Sequence, residues 1–187
     1  MTESAIIRRA GKGDAAELAI LADICSHGFA SWFWYGAVLD GSKETAFEQG
    51  RCFMRSDTHR AAWKDASVAV IDDEIAGLVI GHAIEPSTAG ETAPHPVVEP
   101  LLALQKTLAG HWYVDTLGVY RRHRGKGLGK RLLAHEMARG EGRPISLITE
   151  AITTRRSGST GRAASPKLPA DGPYRCSPTA RNTTGCC

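Results

Sequence analysis

The sequence predicts an α/β fold in which a mixed central sheet is flanked by helices, occupying residues 1–150 of 187. Three observations lead there. Apolar runs with a period of about two alternate along the chain with segments whose apolar residues recur every three or four positions, as strands interleaved with helices do. Between Tyr113 and Lys130 one such strand runs through a turn with glycines at 125, 127 and 129 straight into a helix, and the strand Ile145–Glu150 follows; strand, helix and parallel strand make a right-handed crossover. After Glu150 the pattern stops: residues 151–187 contain only Ile152 and Leu168 from the Ile, Leu, Val, Phe and Met group, too little to offset the entropy of ordering the segment.

Taken in order, Ala5–Arg9 is a short β-rich run, followed by a turn at Gly11–Asp14 and a helix with Leu18, Leu21, Ile24 and Cys25 on its apolar face. Asp14 is placed as its N-cap, with Glu17 three residues on as the capping-box partner. Phe29–Tyr35 holds five aromatics, and Thr45–Met54 reads as a second helix. Ser67–Ile71 and Ile75–Ile84 form a hairpin through the acidic turn Asp72-Asp73-Glu74. Glu85–Pro100 carries four of the nine prolines and is a loop, while Val97–Leu108 has helical spacing. His111–Tyr120 is the central strand, and Gly129–Arg139 is a helix with Leu128, Leu132, Leu133 and Met137 on one face, stopped by Gly140 and Gly142.

The glycine-rich turn is built for an anion. The first amides of a helix lack intrahelical partners and carry partial positive charge. Gly125, Gly127 and Gly129 leave those amides free of side chains, and Arg124, Lys126 and Lys130 add charge around them. A Walker loop is excluded, because it needs glycine where Arg124 stands and Ser or Thr where Arg131 stands. A dinucleotide fingerprint on Gly125 and Gly127 fails as well, its third glycine falling on Lys130.

The spacing Arg124, Gly127, Gly129, between a strand ending at Val119 and an amphipathic helix, resembles the coenzyme A motif of the GCN5-related N-acetyltransferases (GNAT). The resemblance covers the chain as far as Glu150. It implies the acyl-CoA N-acyltransferase fold, C-terminally incomplete here, because the Asn turn, the Leu-Tyr helix and the last hairpin of that family have no counterpart after Glu150. It implies acetyl-CoA as co-substrate and an amine of a small molecule or protein as acceptor. The pantetheine arm would lie along Leu117, Gly118 and Val119. The pyrophosphate would meet the amides of Arg124, Gly125, Lys126, Gly127, Leu128, Gly129 and Lys130. The aromatics Phe29–Tyr35 would shape the acceptor wall or cover the core.

Asp115 is the candidate general base. Strict alternation puts it on the same strand face as Leu117 and Val119, and a carboxylate among apolar neighbours has its pKa raised. The alternative is a strand aspartate that only bonds Thr116 or the backbone. The family's tyrosine acid has no counterpart, so a chain that binds acyl-CoA without turnover is the competing function.

The net charge of +3 hides an asymmetry: residues 151–187 carry a balance of +5, leaving −2 on the first 150. The basic residues make nucleic-acid binding a third possibility, but no recognised module supports it. The tail reads as out-of-frame translation of the missing segment or as a basic tail; its closing Gly185-Cys186-Cys187 also mimics a prenylation end. No run is long enough to cross a membrane, and Ala5–Arg9 is too short and charged for a signal peptide, so a cytoplasmic protein is expected. The seven histidines show no metal-ligand spacing, and no metal is expected. Without a further hairpin, Ile145–Glu150 would be an exposed edge inviting self-association.

Overall fold

The computed structural model describes residues 5–149. The expectations for residues 150–187, including the tail and the incomplete C-terminus, lie outside the described residues.

The first strand, β1 (Ile6–Arg9), turns through a short 3-10 segment into α1 (Ala15–Cys25). Two short helices, α2 (Phe29–Trp34) and α3 (Gly36–Leu39), lead to α4 (Ala46–Met54), whose first turn is capped by Thr45 Oγ1 accepting from the Glu48 amide. The hairpin β2 (Ala66–Ile71) and β3 (Glu74–Ala83) follows as expected. The proline-rich segment holds only 3-10 turns before α5 (Glu99–Lys106). Then come β4 (Trp112–Val119), α6 (Leu128–Arg139) and β5 (Ile145–Leu147).

Among the described residues the sheet has five strands in the order β1-β2-β3-β4-β5, antiparallel except for the parallel pair β4–β5. Alternation sorts their side chains onto two faces. Val68, Leu78 and Ile80 face a core shared with Leu18, Leu21, Trp34 and Met54, whereas Ala69, Val79, Val114 and Val119 face Leu128 and Leu132 of α6. The sheet is therefore covered on both sides, by α1, α2 and α4 on one and by α6 on the other. Among the described residues no helix is long and apolar enough to cross a membrane.

Three local expectations are corrected. Asp14 does not cap α1: its carboxylate accepts from the Gly11 amide at 2.8 Å and from Arg8 at 2.7 and 3.0 Å, closing the preceding 3-10 turn instead. The buried stripe of α6 is Leu128, Leu132 and Glu136, with Met137 49% exposed. Glu136 is wholly buried because it has partners: it accepts from Trp112 Nε1 at 3.0 Å and from Arg139 at 2.7 and 2.9 Å. Finally, β5 ends at Leu147, opposite Val114, rather than running on to Glu150.

Candidate active site

The short β5 matters for β4. Pairing with β5 covers only Trp112–Val114, so residues 115–119 continue without a partner on that side among the described residues. A register shift begins at the same place. Ile80 pairs with Thr116 and Gly81 with Val114, which makes Asp115 the extra residue of a β-bulge. The alternation that puts Asp115 on one face with Leu117 and Val119 does not carry across this bulge. Its carboxylate accepts from Thr116 Oγ1 at 2.8 Å and lies close enough to Tyr113 to help burial push that phenol's pKa up.

Beyond Val119 the chain makes a 3-10 turn at Arg121–His123 and enters the glycine segment. Gly125 and Gly127 have φ of +79° and +78°, and a Cβ at either would meet only open space, so the backbone takes a path that side chains would strain. Gly127 opens α6 with no side chain to cap it. Arg124 anchors the turn to the strand, its Nε donating to the Val119 carbonyl at 2.7 Å.

Opposite this turn stands the end of α1. His27 at φ +53° and Gly28 at φ +87° swing the chain away into α2, leaving Ile24, Cys25 and His27 facing β4. The cleft between them has a volume of about 410 Å³. Of the residues singled out in the sequence, Leu117, Gly118, Val119, Arg124, Gly125, Gly127, Leu128 and Gly129 line it. Asp115, Lys126 and Lys130 do not, the two lysines being exposed around it.

Sequence reasoning misses the α1 wall, Ile24, Cys25 and His27, and also His123, which lines the cleft from the 3-10 turn. The available signal is Gly118, a glycine inside a strand, which marks a close approach: Cys25 occupies the space its side chain would fill. Burial pushes the Cys25 thiol up to about 11, against the opposing pull of the Arg124 charge, so it is a neutral thiol near neutral pH. Beside it the Tyr120 hydroxyl donates to Glu17 Oε2 at 2.5 Å; burial, then that carboxylate, raises the tyrosine's pKa. Among the described residues no group of three His, Cys, Asp or Glu side chains gathers to hold a metal.

The arrangement joins an open strand edge to an uncapped, basic helix start, suited to an extended ligand that carries an anionic group at one end. Comparison with known proteins identifies the family. The family model described as "Acetyltransferase (GNAT) family" matches residues 33–156. Among solved structures, an N-acetyltransferase from Staphylococcus aureus Mu50 aligns at TM-score 0.51 and 18% identity, over 76% of this chain and 80% of that one. A further acetyltransferase aligns at TM-score 0.50 and 24% identity, over 74% and 76%. No match was found among curated proteins. With two thirds of its length matched by the family model, and a sheet and glycine turn in the arrangement its sequence predicts, the chain belongs to the GNAT acetyltransferase family.

Proposed function

We propose that the domain over residues 1–150 transfers an acetyl group from acetyl-CoA to a primary amine of a small molecule or protein. The observation that carries this reading is the continuous path from the edge of β4 at residues 115–119, unpaired on that side among the described residues, into the start of α6, which no side chain caps. Main-chain groups of Leu117, Gly118 and Val119 would hold the pantetheine arm as a partner strand is held. The amides from Arg124 to Lys130 would hold the diphosphate, with the Arg124, Lys126 and Lys130 side chains adding charge.

In the reaction the amine nitrogen bonds to the thioester carbon, the carbon–sulfur bond breaks, and coenzyme A leaves as the thiol. A main-chain N–H near Val119 would steady the oxyanion formed on the way. The amine must also lose a proton. Asp115 is the group we assign to this step: it stands at the bulge where β4 parts from β5, and its present partner, the Thr116 hydroxyl, is one it can exchange.

Incubation with acetyl-CoA and a panel of amines, followed by free thiol release, tests the proposal. Turnover with one class of amine, reduced about a hundredfold in Asp115→Asn, is the expected result. Acetyl-CoA binding without thiol release for any amine would show a carrier rather than a transferase, and full activity in Asp115→Asn would move the base elsewhere.

A further inference from the structure

His27 puts a side chain where the turn favours none. α1 closes with the Gly28 amide donating to the Asp23 carbonyl at 2.9 Å, and the residue just past the C-cap Ser26 takes the left-handed conformation. Helices that end in this way usually place glycine there, because a Cβ makes that conformation costly. Here the position holds His27, at φ +53°. Of the five non-glycine residues with positive φ among the described ones, His27, Ala61, Asp72, Asp73 and Glu141, only His27 lines the cleft. Backbone strain kept at a ligand cleft points to a side chain retained for the ligand.

The imidazole is available for that task. His27 is exposed, and its ring makes no hydrogen bond, ion pair or ring contact among the described residues. Two contacts show which end of the cleft it serves. The Tyr120 hydroxyl reaches Glu17, near the start of α1, whereas Cys25, at the end of the helix, lies over Gly118. The helix thus runs against the direction of β4. Past Cys25 the chain heads toward Leu117 and the edge that β5 leaves unpaired among the described residues, away from the glycine turn.

Resting on the acyl-CoA reading above, we infer that His27 holds the pantetheine arm of the coenzyme from the side opposite β4. The arm is a chain of amides, and a neutral imidazole presents one N–H and one bare nitrogen, which match the carbonyl or the N–H of an amide. Main-chain groups of β4 take one edge of the arm, and His27 is the positioning residue that takes the other. The ring has no partner to give up, so the contact adds to binding without breaking a bond within the protein.

Three substitutions separate this role from packing. His27→Ala keeps the strained φ, His27→Gly relieves it, and His27→Phe keeps the size of the ring without its nitrogens. Calorimetric titration of coenzyme A into each full chain should show about tenfold weaker binding than the parent in all three, one hydrogen bond's worth. ADP, which carries the diphosphate without the arm, should bind all four proteins alike. Without ligand, His27→Gly should melt above His27→Ala, which reads the strain directly and shows that the weaker binding does not come from a damaged fold. Parent-like coenzyme A binding by His27→Ala or His27→Phe overturns the inference. So does a loss of ADP affinity equal to that for coenzyme A, which would put the ring at the diphosphate; both results leave the acyl-CoA reading intact. His27→Gly melting below His27→Ala removes the strain on which the inference stands and overturns it as well. A parent chain that does not bind coenzyme A overturns this inference and the acyl-CoA reading together.

Discussion

The sulfur of Cys25 rests on the bare main chain of Gly118: a Cβ built on that glycine would stand 2.0 Å from Sγ. The end of α1 is thereby seated on β4 closely enough to make one wall of the cleft. Gly118→Ala should therefore destabilise the fold by about 1–3 kcal/mol through overpacking. Because Cys25 Cβ lies 3.8 Å from the same point, an ordinary contact, Cys25→Ala should accept the added methyl. Urea unfolding of the two single variants and the double variant checks this; losses that simply add would show that the two residues do not compete for the space.

The same burial makes Cys25 slow to react. With its thiol held at about 11, alkylation by iodoacetamide near pH 8 should run about a hundredfold slower than for a free cysteine. Stability follows the same shift. A group whose pKa is higher folded than unfolded contributes fully below its unfolded value and loses that contribution as pH rises through the folded one. For Cys25 the window runs from 9.0 to about 11, and the raised Tyr120 acts in the same direction. The Tm should fall over that range, less steeply in Cys25→Ala. A Tm unchanged from pH 9 to 11 would contradict it.

On the other face, Glu136 fastens α6 to the sheet. It is wholly buried, and it fills the space over Gly81, where a Cβ would stand 2.3 Å from its Oε1. Glu136→Ala strips Trp112 Nε1 of its acceptor and Arg139 of its counter-charge, and should cost about 3 kcal/mol or more. Glu136→Gln keeps an acceptor for the tryptophan and should cost less. Denaturant midpoints for the two variants test the ranking, and equal values would show that the tryptophan bond contributes nothing.

The strands and the main helices are legible in the sequence because their apolar residues keep one period over many positions, as in β3 and α1. The glycine turn is legible because its spacing is set by backbone conformation, and Gly125 and Gly127 do take the left-handed conformation. What the sequence hides depends on partners far along the chain. Glu136 is polar and reads as solvent-facing until Trp112 and Arg139 are known to meet it, and Met137 is apolar and reads as core although it is half-exposed. Asp14 has the form of a cap, but Arg8 and the Gly11 amide claim it. The bulge at Asp115 escapes any count by twos, since one extra residue reverses the alternation that the count assumes. The α1 wall is hidden for a related reason: Cys25 and His27 reach the cleft through packing against β4, which lies about ninety positions further along the chain.

The proposed seat of the acyl-CoA diphosphate is the glycine turn at the start of α6. Calorimetric titration of acetyl-CoA into the parent chain and into Gly127→Glu, both shown to melt cooperatively, tests it most directly. Saturable binding of one equivalent by the parent and its loss in the variant, where a carboxylate at the helix start repels the phosphates, is the expected result. Equal binding by the two proteins, or none by the parent, would contradict it.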